Sequence, residues 1–417
     1  MIVPAMDVTL LIFLLVYVAM GFGRLPGFKL DRTGAALVGM LAMIVAGSIS
    51  ASAAWAAIDY QTIALLFGLM VVSAGFVVSG FYAWVAHRIA SLNVPPPLLL
   101  AILVATGGIL SALLTNDVVV VAMTPLLASV SLARKLNPVP FLLAFCFAAN
   151  TGSSGTLIGS PQNMIVAQTL DLSFTGFLRL AGIPGLLSLP IVWGTIAMLY
   201  RDRWNLPDSA SQVAVHAQPE PVLDRWETAK TGAVTVAVIA AFIFSPWPRE
   251  MIALGAACAL LINRKISSGD VLTKVDGNLL VLIMGLFVVN AAMAATGVPQ
   301  MLIAEARDFG LNLHEPVTLL WLSAVLSDLV GNSPAVMLLA PLIQGATHPD
   351  AVGAALALGT GFSSNLLIFG SLAGIIVVEQ AAARGIHISF GEFARAGAPV
   401  TLACMIVATI WIVAVYH

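Results

Sequence analysis

The sequence predicts an all-α membrane protein that crosses the bilayer many times. Hydrophobic residues make up 60% of its 417 residues and charged residues 9%, whereas a soluble domain is about 45–50% apolar and about 25% charged. The mean hydropathy is +1.01 over the whole chain, and one soluble core cannot bury that much apolar surface. The apolar runs are continuous rather than alternating in polarity, which favours spanning helices over an outer-membrane β-barrel.

Composition and motif content exclude several function classes. The net charge of -2 offers no basic field for nucleic acid. Cys146, Cys258 and Cys404 form no CxxC motif or Cys/His cluster, so we expect core residues rather than a zinc site or disulfides. Enzyme motifs such as HExxH and GxSxG do not occur on the spans. The apolar segment 7–23 lacks a basic flank and a cleavage site, so we interpret it as a first span.

Apolar runs of about 15–25 residues fit helices that cross a hydrocarbon core of about 30 Å. They lie at 7–23, 33–50, 61–80, 97–133, 140–170, 177–200, 230–246, 250–263, 278–296, 316–345, 350–382 and 392–416. The polar, proline-containing stretch 201–229 separates them into two halves and is predicted to be a cytoplasmic linker. We therefore expect one repeat in residues 1–200 and another in residues 230–417.

Three of these runs are too long for one helix and contain polar interruptions. The interruptions lie at 115–117, at 150–155 and 159–161, and at 331–334. The arm after the last one, 335–344, has about ten residues, and at about 1.5 Å per residue it cannot cross the membrane. We therefore predict a re-entrant helical hairpin and a broken transmembrane helix in each half.

The placement of basic residues predicts the orientation. With the N-terminus outside and both hairpins re-entrant, 15 of the 18 Lys and Arg residues fall on the inner side. Only Arg179, Arg249 and Arg307 fall outside, as the positive-inside rule requires. Treating the first hairpin as two full spans gives the same division, so the rule supports the sidedness and not the depth of the tips.

The two halves resemble each other at nearly constant spacing. The spacing is about 216 residues and falls to about 211 at one match; the matching pairs are 66–72 with 283–289, Asn116 with Asn332, 158–160 with 369–371, and 173–179 with 389–395. On the predicted topology the hairpins enter from opposite sides, so the repeats are inverted. Inverted repeats with broken helices are typical of secondary transporters with a site at the membrane midplane. A channel would need a continuous polar path instead.

Polar residues at the paired interruptions are the predicted substrate site. Half-helix ends there suit ions, and small hydroxyl and amide side chains offer neutral partners to a polyol or oxyanion. The alternative is that these small residues only permit close helix packing. The predicted set is Thr115, Asn116, Asn150, Thr151, Gly152, Ser153, Ser154, Asn332, Ser333, Ser363, Ser364 and Asn365.

Two acids within the hairpins are candidates for ion coupling. Asp117 stands at the first tip, where a carboxylate is costly unless it is paired, hydrated or protonated, so we predict a proton carrier. Its alternative role is a helix cap, which does not exclude titration. Asp328 matches Ala112 in the first half, so symmetry does not require an acid there; a second proton or cation site and a surface position in an outward-facing vestibule are the alternatives. No Arg or Lys occupies a tip or interruption, which favours a cargo that is neutral or protonated.

These motifs resemble the ion transporter superfamily, in particular its arsenite permease and NhaD-type antiporter branch. The resemblance rests on Asn116-Asp117 and on the segments 149–163, 332–336 and 375–390. The tips read Thr-Asn-Asp and Gly-Asn-Ser, whereas divalent-anion/sodium symporters carry Ser-Asn-Thr at both. This difference argues against dicarboxylate/sodium symport.

The resemblance implies a homodimer with an elevator mechanism. The scaffold would comprise about 1–96 and 230–312, and the mobile transport domain about 97–200 and 313–417. It further implies proton-coupled arsenite or antimonite efflux across the inner membrane, with an arsenite-stimulated ATPase subunit as a potential partner. No cofactor is expected beyond the proton gradient, with sodium as the other coupling ion. An inorganic-anion or carboxylate transporter, or a sodium/proton antiporter, is the alternative.

Overall fold

The computed structural model describes residues 3–206, 222–308 and 310–416. Within these ranges the secondary structure is helical, with two isolated β-bridges and no strand. Seven helices of the described ranges are long and apolar enough to cross a membrane, judged by length and composition. The all-α, multi-span class predicted from the sequence is confirmed.

The first half of the chain runs from a long apolar helix to the start of the linker. Its helices are α1 (Val3–Phe22), α2 (Arg32–Val45), α3 (Ala51–Ala57), α4 (Tyr60–Val78), α5 (Phe81–Ala90), α6 (Pro96–Leu113), α7 (Asn116–Ala133), α8 (Pro138–Ser153), α9 (Pro161–Thr169), α10 (Phe174–Phe177) and α11 (Ile183–Leu199). A π-helical turn, Leu178–Gly182, joins the last two into one long apolar helix.

The second half contains the same succession of long, short and broken helices. They are α12 (Arg225–Phe244), α13 (Arg249–Leu261), α14 (Ser268–Leu272), α15 (Gly277–Ala294), α16 (Val298–Asp308), α17 (Pro316–Val330), α18 (Asn332–Leu339), α19 (Pro349–Ser363), α20 (Leu372–Ala382) and α21 (Phe390–Tyr416). Helix α12 begins within the predicted linker, and linker residues 207–221 lie outside the described ranges.

The helices of the two halves correspond one to one in order. Helices α13 and α15 begin 217 residues after α2 and α4, and α19 and α20 begin 211 residues after α8 and α9. The hairpin α17–α18 corresponds to α6–α7, so both halves carry the predicted hairpin and broken helix. The repeat inferred from a few sequence matches therefore extends over the described length of both halves.

Packing between the halves follows the same symmetry. Helix α4 packs against α13, and the equivalent helix α15 packs against α2. A Cβ added at Gly68 would lie 2.6 Å from the backbone of Ala253, and one added at Gly285 would lie 2.8 Å from the backbone of Ala36. These glycines occupy equivalent positions and permit the same close helix contact twice. The two repeats are therefore intertwined rather than separate domains.

Candidate functional site

A cavity of about 460 Å³ lies where the hairpin tips and the broken helices meet. We call it the central cavity. The first repeat contributes Asn116 and Asp117 from the start of α7 and Gln162 from the start of α9. The second repeat contributes the residues 331–334 and 370–372, at the starts of α18 and α20. The prediction that paired breaks converge is borne out by this geometry.

The opposite wall of the central cavity comes from the first turns of α2 and α15. Asp31, Arg32, Asp276 and Asn278 lie there, and Asp31, Asp276 and Asn278 are exposed, so the cavity opens on this side. Asp31 and Asp276 accept hydrogen bonds from first-turn amides of their own helices, at 2.7 and 3.0 Å. These carboxylates offset the partial positive charge of two helix N-termini.

The other helices that begin at the central cavity differ in whether a side chain caps their N-terminus. Helices α7, α9 and α18 also begin at the central cavity, and none of the three has a side-chain cap. Helix α20 is capped by Ser371, whose hydroxyl accepts from the amide of Gly374 at 3.0 Å. Uncapped N-termini present amide donors and a partial positive charge to a polar ligand.

The first tip, residues 115–117, is fixed mainly through its backbone. The amide of Thr115 donates to the hydroxyl of Ser73 at 3.0 Å, and the two hydroxyls lie 2.9 Å apart. The amide of Asn116 donates to the carbonyl of Gly159 at 3.0 Å. The side-chain oxygen of Asn116 is buried, and none of the described residues forms a hydrogen bond with it. This tip therefore leaves one side-chain acceptor unused.

The second tip, residues 331–333, is fixed through a side chain. The amide nitrogen of Asn332 donates to the hydroxyl of Ser364 at 2.8 Å, and its oxygen accepts from the hydroxyl of Ser327 at 2.7 Å. Gly331 has φ +92°, a conformation that favours glycine at the sharp turn between α17 and α18. Asn332 therefore lines the cavity but also holds its hairpin against the broken helix.

The segments predicted to be unwound, 150–154 and its counterpart 361–365 in the second half, begin about one turn too early. Helix α8 continues to Ser153 and α19 to Ser363. The links that follow are 154–160 and 364–371, and the second contains a short 3₁₀ helix, Ile368–Gly370. The Ser154 hydroxyl donates back to the carbonyl of Asn150 at 2.6 Å, and the Ser364 hydroxyl to that of Thr360 at 2.9 Å. Such bonds let serine remain at a helix end instead of ending the helix earlier. We call the two links the first and second break.

Asn150 and Asn365 join the broken helices behind the central cavity. The amide of Asn150 donates to the oxygen of Asn365 at 3.1 Å, and the amide of Asn365 donates to the hydroxyl of Thr151 at 3.1 Å. Both asparagines are buried. The predicted residues that line the cavity are Asn116, Asp117, Asn332 and Ser333. The others lie in the packed layer behind it: Thr115, Asn150, Thr151, Gly152, Ser153, Ser154, Ser363, Ser364 and Asn365.

The two predicted coupling acids occupy different positions. Asp117 lines the central cavity, and its carboxylate has no hydrogen-bond or ion-pair partner among the described residues. Asp328 lies behind the second break, where a Cβ added at Gly370 would be 2.7 Å from one of its oxygens. That oxygen is buried without a partner. Of these two acids, only Asp117 lines the central cavity.

Polar lining residues that were absent from the predicted site include Gln162, Ser371, Arg32 and Asp276. Gln162 follows the first break, and Ser371 is the last residue of the second break. Gln162 belongs to the motif segment 149–163, and Ser371 belongs to the repeat match 369–371. Arg32 and Asp276 lie on helices of the opposite wall, and no local signal places them at the site. Arg32 donates to the carbonyls of Met20 at 2.9 Å and Phe369 at 3.4 Å. A cation therefore does reach the second break, from a distant helix.

Comparison with known sequences gives full-length matches to transporters. The profile of a family described as Citrate transporter matches residues 10–361. An uncharacterized transporter of Mycobacterium tuberculosis is 30% identical over 419 residues, covering 96% of this chain and 98% of that protein. The silicon efflux transporter LSI3 of Oryza sativa subsp. japonica is 28% identical, covering 86% of this chain and 87% of that protein. These relatives are transporters, which confirms that the chain is not an enzyme.

Two solved transporters share the fold. The YdaH transporter of Alcanivorax borkumensis superposes with a TM-score of 0.59 at 16% identity, covering 98% of this chain and 97% of that one. MtrF of Neisseria gonorrhoeae superposes with a TM-score of 0.63 at 13% identity, covering 98% and 94%. At these identities the likeness concerns the fold alone.

Proposed function

The chain belongs to the citrate transporter family, and on this premise we propose that it exports a small, neutral, hydroxyl-rich acid in exchange for protons. Arsenous and antimonous acid, the cargo suggested by the arsenite permease resemblance, are the first candidates. The observation that carries the proposal is the unpartnered Asp117 carboxylate in the central cavity, beside the unpartnered oxygen of Asn116.

The hydrogen-bonding groups of the central cavity favour a cargo that carries hydroxyl groups. The carboxylate of Asp117 and the side-chain oxygen of Asn116 are acceptors that need donors. A neutral X–OH acid offers both donors and acceptors, whereas an ionised carboxylate offers acceptors only. The charged residues that line the cavity are four acids and one arginine: Asp31, Asp117, Asp276, Glu379 and Arg32. This excess of negative charge disfavours a free anion at the mouth of the cavity. Similarity to a silicon efflux transporter makes silicic acid a further candidate of the same chemistry.

Proton coupling follows from competition at Asp117. The ionised carboxylate accepts a hydrogen bond from the cargo, and protonation removes that acceptor. A proton arriving from the outer side therefore displaces the cargo, and the empty, protonated carrier returns to release the proton inside. An exchange mechanism requires that the proton and the cargo exclude each other from the same site. Sodium is the alternative coupling ion.

The proposed transport mechanism is an elevator motion. In this proposal residues 1–96 and 230–312 form the scaffold and residues 97–200 and 313–417 the transport domain. The central cavity lies between the two groups and opens beside Gly23 and Asp276, on the side that the basic residues predict to be cytoplasmic. The structure would then represent an inward-facing state. A homodimer in the inner membrane, an outer N-terminus and an arsenite-stimulated ATPase subunit complete this proposal.

Transport by purified protein in proteoliposomes tests the function. Arsenite, antimonite, silicic acid, citrate and sulfate are each offered with and without a pH gradient of two units. We expect saturable, gradient-driven flux of arsenite or another neutral hydroxylated acid, and none of sulfate. Gradient-driven flux of citrate alone would contradict the proposal. Flux that does not saturate would indicate a channel.

A carboxylate such as citrate is the second candidate cargo. The family profile and the three uncapped helix N-termini at the central cavity favour it, because helix amides bind carboxylate groups without a cation. In that case the cargo and a protonated Asp117 would bind together, so protons and cargo would move in the same direction. The direction of the proton flux in the same proteoliposomes distinguishes the two candidates.

A further inference from the structure

Two consecutive amide side chains at the start of α9 have opposite environments. The amide nitrogen of Asn163 donates to the carbonyls of Ser153 and Thr156, at 2.9 and 2.7 Å, and so holds the first break in shape. Gln162 is 5% exposed and lines the central cavity, yet its amide has no hydrogen-bond partner among the described residues. The amide of Gln162 therefore belongs to the cavity wall, and its hydrogen-bonding groups are available to a ligand.

The repeat shows that Gln162 is not required by the architecture. At the repeat spacing, Gln162 corresponds to Ala373 and Asp117 corresponds to Ser333, whereas Asn116 is retained as Asn332. Among the residues at the hairpin tips and after the breaks, Asp117 and Gln162 of the first repeat thus have the small counterparts Ser333 and Ala373 in the second repeat. A cargo held in this cavity would lie towards the first repeat, where the acid and the amide are.

We propose that Gln162 is a substrate-binding residue, and that with Asp117 it selects a cargo that presents a hydroxyl donor beside an oxygen acceptor. The carboxylate of Asp117 accepts a hydrogen bond from the hydroxyl group of the cargo, and the amide nitrogen of Gln162 donates one to the neighbouring oxygen of the cargo. A site that pairs one acceptor with one donor leaves a buried group unsatisfied when the cargo lacks either partner. The selection rests on the proposed function, since it names the chemistry of that cargo.

Arsenite exchange and gradient-driven uptake in proteoliposomes test the role of Gln162. We expect Gln162→Ala to raise the KM for arsenite about tenfold, the effect of one lost hydrogen bond, with the maximal rate and the proton-to-arsenite ratio unchanged. Gln162→Asn should recover part of the affinity. Asn163→Ala is the matched control, and it should lower the thermal midpoint and the maximal rate instead.

The outcomes separate this inference from the function it rests on. If the wild type carries no hydroxylated acid, the proposed function is wrong. If the wild type carries arsenite and Gln162→Ala lowers the thermal midpoint with KM unchanged, Gln162 is structural and only this inference fails. Boric acid, a neutral hydroxylated acid, should inhibit arsenite uptake, and its inhibition should weaken with Gln162→Ala. Inhibition by acetate instead would overturn the proposed selection.

Discussion

The two repeats share every helix yet differ in the side chains that they bring to the central cavity. The first tip is held by its backbone and leaves Asn116 and Asp117 free for a ligand, whereas the second tip is held by the side chain of Asn332. Residues that are equivalent in both repeats mostly maintain the architecture. Asp117 against Ser333 is a difference in residue type, whereas Asn116 and Asn332 are the same residue with different contacts. We expect such departures from symmetry to mark the functional positions.

A second difference concerns two equivalent arginines. Arg32 and Arg249 each occupy the first position of their helices, α2 and α13. Arg32 contacts the second break through the carbonyl of Phe369, and Arg249 donates to the carbonyl of Leu172, which follows α9. Equivalent residues with unequal contacts are expected when one side of a symmetric transporter is open and the other closed.

The largest effect is expected for Asp117. Asp117→Asn keeps the shape of the side chain and removes its charge and its proton, so gradient-driven transport should be abolished. Cargo exchange should continue with a raised KM, because the amide oxygen is a weaker acceptor than the carboxylate. Ser333→Ala, at the equivalent position of the second repeat, is the control and should retain the coupling. Uptake with and without a pH gradient measures both. Intact gradient-driven transport by Asp117→Asn would disprove the coupling role.

Close packing of the first repeat is the next test. A Cβ added at Gly152 would overlap the carbonyl of Gly108, where α8 meets α6. Gly152→Ala should therefore destabilise the fold by about 1–3 kcal/mol through overpacking and lower the thermal midpoint in detergent. Gly255→Ala is the control, because nothing lies within 4 Å of the added atom. Equal midpoints for the two variants would show that α6 can move away from α8.

The two tip asparagines should differ in kind. Asn332→Ala removes the partner of Ser364 and Ser327, and a loss of about 1–2 kcal/mol of stability should appear as a lower thermal midpoint. Asn116→Ala removes a side chain whose oxygen has no partner, so stability should change little while the KM for cargo rises. Thermal denaturation and uptake kinetics of both variants give the answer. The reverse pattern would mean that the first tip is the structural one.

The smallest effect is expected for Arg249. Its contact with Leu172 lies near the acids Asp171 and Asp350, on the side that the basic residues predict to be outside. Arg249→Ala should shift part of the population towards the opposite state and reduce maleimide labelling of a cysteine placed at Ser333 by a few-fold. The labelling uses a background in which the exposed Cys258 is replaced. Arg32→Ala should change the labelling in the opposite direction, and an equal effect of both variants would argue against a symmetric pair.

The sequence predicted much of the fold because its signals are local or repeated. Continuous apolar runs, the short arm at 335–344 and the recurrence of Asn116 as Asn332 were sufficient to predict spans, a hairpin in each half and convergent breaks. The exact ends of α8 and α19 were not predictable, because serine hydroxyls that bond back to the helix are indistinguishable in sequence from those that end it. Gln162 and Asn163 likewise look alike in sequence, and only their neighbours separate a cavity residue from a structural one.

By itself the sequence determined that the chain spans the membrane, that it is a duplicated and inverted structure, and that an acid stands at one hairpin tip. These follow from composition and period, which require no knowledge of distant contacts. The tertiary structure alone decided which polar residues face the central cavity and which join the broken helices behind it. It also brought Arg32 and Asp276 to the site from helices outside the hairpins and the broken helices. Side-chain direction and long-range proximity depend on how helices pack, and packing is a property of the whole fold rather than of any segment.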